Sequence, residues 1–300
     1  MARAIVLMSG GLDSMLAARI LQLQGLDVIG FNFRMPFNGT SKGAMRAAAD
    51  LGVPLIAHYV GDEYMEVLRN PKHGYGKGAN PCLDCRSYYL SLAKKLMEQY
   101  GACVVATGEV VGQRPMSQKF RDMGLVAAQA GLEGRLLRPL SAKRLPPTIP
   151  EQEGIIDRSK LYDFSGRSRK SQIELAKKLG LKRVPDASPG CVLTEASFAP
   201  RIHDLFAHDR HATLWDGEVL MVGRHLRKDP SVKFVIGRDA KENKRLEILF
   251  RRRRRSDCAL ILPGNFMGPY VLAIGKTDED TLTEGGRLAI RFTNRDVPTP

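Results

Sequence analysis

Two groups of residues in this 300-residue chain are of types that do chemistry. The first is the run Ser9-Gly10-Gly11-Leu12-Asp13-Ser14. It follows an apolar stretch, Ala4 to Met8, and opens onto Met15 to Leu21, whose residues suit a helix. A strand, a glycine turn and a helix start expose successive backbone N–H groups beside the positive end of the helix, where a polyphosphate can sit. Ser9 and Ser14 add hydroxyl donors, and Asp13 can hold a magnesium ion that bridges phosphate oxygens. The run lacks the GxxxxGK[ST] pattern with its lysine, and it is not GxGxxG.

The second group is sulfur. Cys82 and Cys85 form a CxxC pair just ahead of the helical pattern of Ser87 to Gln99, where helix-end N–H groups and Arg86 would favour thiolate. The motif alone fits zinc, an iron–sulfur cluster or dithiol redox chemistry. Cys191 lies far downstream in a Pro-Gly-Cys turn, from which one thiol can swing over a bound centre. Three thiolates with no fourth nearby suit a [4Fe-4S] cluster that keeps one iron free, or a catalytic pair with a third thiol and persulfide or disulfide chemistry. A structural zinc needs a fourth ligand, for which His73 is the candidate. Cys103 sits in a strand pattern and reads as a small buried hydrophobe, and nothing links Cys258 to the others. His203, His208 and His211 match no metal spacing and read as a surface helix end.

The elements that must position these groups alternate. Asp27 to Phe33 and Pro54 to Val60 read as strands, Ser41 to Leu51 as a helix stopped by Gly52, and Ala102 to Gly108 and Leu136 to Leu140 as further strands. Such alternation predicts an α/β domain with a parallel sheet covered on both faces and a ligand site at the carboxyl ends of its strands. Arg69 to Asn80 has no periodicity and reads as a mobile loop; Ser141 to Gly166 is too rich in Pro and Gly for long helix. Helices are expected at Arg167 to Leu179 and Phe198 to Phe206. From about Asp209 the pattern changes to short strand-like runs: Val219 to Val222, Lys233 to Ile236, Leu246 to Phe250, Ala259 to Leu262, Tyr270 to Ile274 and Arg287 to Phe292. They predict a second, smaller domain, mainly β or α+β, over residues 209–300, after a first domain of residues 1–208.

Composition narrows the class. Forty-three per cent apolar residues argue for globular packing, and a net charge of +14 argues for nucleic acid as the partner that best uses such a field. Five cysteines, no signal peptide and no apolar run of about 18 residues predict a cytoplasmic protein with reduced thiols and no membrane span. The sequence leaves both a monomer and a homodimer open.

The six residues Ser9 to Ser14 resemble the SGGxDS pyrophosphate-binding loop of the PP-loop ATPases, which cut ATP between the α and β phosphates and hand AMP to a carbonyl-type oxygen. Together with Pro81-Cys82-Leu83-Asp84-Cys85, Ala106-Thr107-Gly108-Glu109, Gly112 to Gln118 and Leu137-Arg138-Pro139-Leu140-Ser141, residues 1–200 resemble the adenine-nucleotide hydrolase domain of 4-thiouridine synthetases and their relatives. The resemblance implies a Rossmann-like domain that activates a uridine of tRNA with ATP and Mg²⁺ and replaces its carbonyl oxygen with sulfur. It implies ATP contacts at Ser9, Gly10, Gly11, Asp13, Ser14, Gly108, Gln113 and Arg114, and catalytic roles for Asp13, Cys82, Cys85 and Cys191. Several related tRNA thiolases hold a [4Fe-4S] cluster on a CxxC pair plus a distant cysteine, which maps onto Cys82, Cys85 and Cys191. No THUMP domain precedes Ser9 and no rhodanese domain is apparent, so the expected sulfur donor is free sulfide or a persulfide carrier.

In the second domain, Val222 to Arg227 and Val235 to Asn243 resemble the NFACT-R type of RNA-binding domain. Arg224, Arg227 and Arg238 and the run Arg251 to Arg255, read as a strand whose alternate members Arg251, Arg253 and Arg255 share a face, are the expected phosphate contacts. A charged solvated edge is the other reading of that run. Three rival functions stay open: an amide or nitrile synthase on a small carboxylate, sulfur insertion into a small substrate, and a non-catalytic RNA-binding protein.

Overall fold

The computed structural model describes residues 1–38, 41–186, 190–253 and 257–293. It divides into two compact units, Met1–Thr194 and Glu195–Pro300.

The first unit runs β1 (Arg3–Leu7), α1 (Leu12–Leu23), β2 (Asp27–Arg34), α2 (Lys42–Leu51), β3 (Leu55–Tyr59), α3 (Glu63–Arg69), α4 (Cys82–Gln99), β4 (Val104–Ala106), α5 (Phe120–Gln129), β5 (Leu136–Leu137), α6 (Ile149–Gln152) and α7 (Lys170–Lys178). The strands form one parallel sheet in the order β3-β2-β1-β4-β5. Near-continuous apolar runs suit strands buried on both faces. Ala4 and Val6 join α1, α2 and α7 in a core on one face; Ile5, on the other, meets α4 and α5. Strand order reverses between β1 and β4, and the crevice at that reversal is where open α/β sheets bind ligands. The Ser9 to Ser14 run leaves β1 there, and Gly108 follows β4 beside it.

Two local expectations change. The CxxC pair lies in the first turn of α4 instead of ahead of it, because Pro81 occupies the cap position and Cys85 N already donates to Pro81 O. The segment between α3 and α4 is tied down: the Asp84 carboxylate accepts from Lys72 N at 3.0 Å and His73 N at 3.1 Å, and Tyr75 Oη donates to Leu68 O.

The second unit contains α8 (Ala199–His208), α9 (Leu214–Leu220), β6 (Arg224–Asp229), β7 (Val232–Ile236), α10 (Ala240–Arg252), β8 (Cys258–Ile261), β9 (Val271–Gly275) and α11 (Glu279–Arg291). Its sheet is antiparallel in the order β6-β7-β9-β8, so this unit is α+β. One face packs on α9 and α10, the other on α11. Asp204 joins α8 to the sheet, taking Arg227 at 2.5 Å and Lys233 at 2.8 Å. The runs at 219–222, 246–250 and 287–292, expected as strands, fall in or at the ends of α9, α10 and α11. Short apolar runs fit either period. The deciding signals are caps: Thr213 with Asp216 forms a capping box, Asp239 accepts from Glu242 N at 2.9 Å, and Asp278 from Thr281 N at 2.9 Å.

Candidate active site

At the end of β1 the chain turns through Gly10 at φ 87°, in the left-handed region open to glycine. A β-carbon there would stand 2.3 Å from Gly43 C, at the start of α2. Gly108 approaches the same loop from β4, where a β-carbon would stand 2.3 Å from Asp13 C. Close backbone contact from both sides thus fixes the loop. Inside it, Gly11 N donates to Ser9 Oγ at 3.3 Å, and Ser14 Oγ donates to Gly11 O at 2.8 Å.

Gln113 Nε2 donates to Asp13 Oδ2 at 3.0 Å. The other oxygen, Oδ1, is buried with no hydrogen-bond partner in the structure. Burial raises the Asp13 carboxyl above its ordinary value, against the pull of Gln113 and of the charges of Arg169 and Arg114. An orphaned carboxylate oxygen beside a glycine turn and two serine hydroxyls fits a magnesium ligand. Arg114 is exposed, and its Nη1 lies 3.9 Å from where a β-carbon would stand on Gly190, next to Cys191. Arg169, just ahead of α7, is held by Pro185 O at 3.0 Å.

Glu109 stands apart from this chemistry. It is buried, receives Arg138 Nε at 2.9 Å and pairs with Arg86. Burial, with the Arg86 charge, lowers Arg138 to about 10. Arg86 is therefore turned to Glu109, and burial pushes the Cys85 thiol up to about 12 instead of favouring thiolate. Ser141 Oγ donates to Phe164 O at 2.6 Å and accepts from Val111 N at 3.0 Å. The Leu137 to Ser141 motif is thus an internal brace for the strand ends.

Tyr64 contacts one of the thiols and feels the charge of the other two. Its hydroxyl lies 3.1 Å from Cys85 Sγ; burial, and then Cys85, Cys191 and Cys82, push it well above the ordinary phenol value. Cys82 Sγ accepts from Asn80 Nδ2 at 3.1 Å, and Cys191 Sγ lies 3.8 Å from Phe37 O. Among the described residues, however, no three His, Cys, Asp or Glu side chains are placed as a ligand set for a metal ion. His73, the candidate zinc ligand, has its Nε2 2.6 Å from Gln129 Nε2. Cys103 is half-buried against the first core, its Sγ donating to Arg3 O at 3.3 Å.

Residues 2–124 match the family described as tRNA methyl transferase HUP domain, and residues 223–298 match the NFACT protein RNA binding domain. One match therefore falls in each of the two units. A tRNA-specific 2-thiouridylase MnmA from Bradyrhizobium sp. (strain ORS 278) is 33% identical over 42% of this chain, and the match spans only 36% of that relative's own length. One from Methylobacterium nodulans is 26% identical over 99% of this chain and 81% of that protein. A 4-thiouridine synthetase–RNA complex with bound ATP aligns with a TM-score of 0.43 at 20% identity, covering 67% of this chain and 50% of that one. Among the described residues no helix is long and apolar enough to cross a membrane.

The NFACT-R-like domain distributes its arginines unevenly. Arg224 is exposed with its guanidinium 5.5 Å from the Phe292 ring centroid, and Arg251 reaches Glu247 at 2.6 Å from the end of α10. Arg227 is held by Asp204 and Arg238 by Glu242. Arg253 is buried between Asp216 at 3.2 Å and Asp257 at 2.8 Å, 4.0 Å over the Trp215 ring. Arg251 and Arg252 end a helix, so the expected strand alternation does not apply, and Arg255 lies outside the described residues. Tyr64 and Asn80 were not singled out by sequence reasoning, and Arg169 was read only as part of a Ser165 to Arg169 stretch that guides RNA. Asn80-Pro81 ahead of the CxxC pair was the one available signal.

Proposed function

We propose that this chain is an ATP-dependent tRNA sulfurtransferase of the cytoplasm, which adenylates a uridine carbonyl oxygen and replaces it with sulfur. The 2-carbonyl is the position named in the 2-thiouridylase relatives. The observation that carries the reading is Arg114, whose charge acts on Asp13 while its Nη1 lies 3.9 Å from where a β-carbon would stand on Gly190, the residue before Cys191.

The uridine oxygen attacks the α phosphorus of ATP; an O–P bond forms as the bond to the β phosphate breaks and pyrophosphate leaves. Backbone N–H groups of residues 10 to 14 and the hydroxyls of Ser9 and Ser14 hold the departing pyrophosphate. Magnesium at Asp13 Oδ1 would supply neutralising charge, and Gln113 holds the other Asp13 oxygen. A sulfur nucleophile then adds at the base carbon, and AMP departs with the C–O electron pair. With sulfide, proton loss completes the thiocarbonyl. With a persulfide on one cysteine, a second cysteine thiolate attacks the S–S bond, leaving thiolated base and a disulfide that a dithiol must reduce. Cys82, Cys85 and Cys191 can fill both roles. The expected [4Fe-4S] cluster is not matched by a ligand set in the described residues, and the steps above do not pass through one. The basic NFACT-R-like domain supplies the tRNA contacts.

The test is incubation of the purified chain with ATP, sulfide and unmodified tRNA. Nucleoside mass analysis should show oxygen replaced by sulfur, with AMP and pyrophosphate formed in step. ATP cleavage with ammonia and a small carboxylate but no thionucleoside would replace this reading with the amide synthase one.

A further inference from the structure

The CxxC pair sits on one helical turn, yet the two sulfurs have unlike surroundings. Asn80 is 4% exposed and fully engaged. Its Oδ1 accepts from Gly78 N at 3.0 Å, which assigns the nitrogen end of the amide to Cys82, and Nδ2 donates to Cys82 Sγ at 3.1 Å. The loop is shaped around this amide. A β-carbon on Gly76 would stand 2.3 Å from Asn80 Nδ2, and one on Gly78 2.5 Å from Leu193 O. Gly76 N donates to Asn80 O at 2.9 Å, and Ala79 N to Leu193 O at 2.9 Å, which ties the loop to the turn that carries Cys191. Cys82 is also the first residue of α4, where the helix end favours negative charge.

Cys85 faces inward. Its partner is the hydroxyl of Tyr64, a side chain with no exposure whose ring packs 5.8 Å from Phe33 and 5.5 Å from Tyr88. Both cysteines are partly exposed, so the difference lies in their partners: an N–H donor fixes the Cys82 rotamer, whereas Cys85 Sγ is held at the hydroxyl of a fully buried ring.

We propose that Asn80 is a positioning residue that presents Cys82, and not Cys85, to the incoming sulfur donor. The proposal rests on the sulfur-transfer reading only for the use made of the thiol. The experiment is alkylation of the full-length chain by iodoacetamide after treatment with chelator and dithiothreitol, with Cys82 and Cys85 quantified separately by fragment-ion mass spectrometry. Cys82 should react about tenfold faster than Cys85. Asn80→Asp keeps the size of the side chain but removes the donor; it should slow Cys82 about tenfold and leave Cys85 unchanged. AMP formation from ATP and tRNA should be unaltered. Equal rates in the unsubstituted chain overturn the proposal without need of any variant. So does an Asn80→Asp variant in which both cysteines shift together, the mark of a structural effect on the helix. The alkylation needs neither ATP nor tRNA: asymmetric thiols in a chain that makes no thionucleoside would sink the functional reading and leave Asn80's role standing.

Discussion

Gln113 holds Asp13 across 100 positions of sequence, its amide on one carboxylate oxygen and the other oxygen left buried and unpartnered. That asymmetry makes Asp13 a poor structural residue and a good metal ligand. Burial raises its carboxyl in the folded chain, so at neutral pH the charged form opposes folding. A raised folded-state value gives stability that is present below the unfolded value and lost as pH rises through the folded one. Asp13→Asn should therefore raise Tm of the nucleotide-free protein at neutral pH while lowering AMP formation by roughly 10²-fold or more. Because the proposed reaction needs the ionised form, the acid limb of its kcat/KM profile, which reports the unloaded chain, should lie above the ordinary carboxylate range near about 4. A pH–rate profile and a melting curve check the two halves; lower Tm with lost activity would mean Asp13 is structural.

The glycines of the loop separate by the same kind of argument. Gly10 and Gly108 each lack room for a β-carbon, with backbone atoms 2.3 Å away, whereas one on Gly11 would meet only Ser9 Oγ at 3.4 Å. Gly10→Ala and Gly108→Ala should destabilise the chain by about 1–3 kcal/mol each. Gly11→Ala should leave the urea midpoint nearly unchanged and raise the KM for ATP, since Gly11 caps the helix start within the proposed phosphate loop. Equal loss of stability in all three would show that the loop is held by conformation alone.

What could be read from the chain divides along range. Ser9 to Ser14 encodes its geometry locally: strand, glycine turn, helix start. Its partners Gln113 and Gly108 come from the segment after β4 and Arg169 from the start of α7, and no spacing in the sequence announces which of them touches Asp13. Glu109 was readable as a motif member but not as a buried acceptor for Arg86 and Arg138, because burial is a property of the assembled sheet. In the second unit the apolar runs at 246–250 and 287–292 carry too few residues to distinguish a period of two from one of 3.6. Leu246 and Leu249 are buried and Ile248 is exposed, the spacing of a helix face, and Asp239 and Asp278 were the stronger signals.

Glu109 yields a prediction opposite to that for Asp13. Removing it leaves Arg138, itself 5% exposed, without its carboxylate. Glu109→Ala should destabilise the first unit by about 3–5 kcal/mol, measured by urea unfolding. Any loss of AMP formation should follow the unfolded fraction and recover under stabilising conditions. A stable Glu109→Ala protein with no activity would instead make Glu109 part of the chemistry.

The arginines of the NFACT-R-like domain should fall into two classes. Arg224 is exposed, and Arg251 stands exposed at a helix end against its i,i+4 partner Glu247, a pair worth little in water. Substituting either by Ala should weaken tRNA binding and lower the slope of log K against log salt by about 1. Melting should be unaffected. Arg253 has its side chain 7% exposed between two carboxylates and over Trp215, so Arg253→Ala leaves Asp216 buried beside an empty site. That variant should lower the stability of the second unit by about 3 kcal/mol with an unchanged salt slope in whatever fraction stays folded. If Arg253→Ala melts normally and loses the phosphate-dependent slope, Arg253 reaches outward in solution and the basic face is wider than Arg224 and Arg251 define.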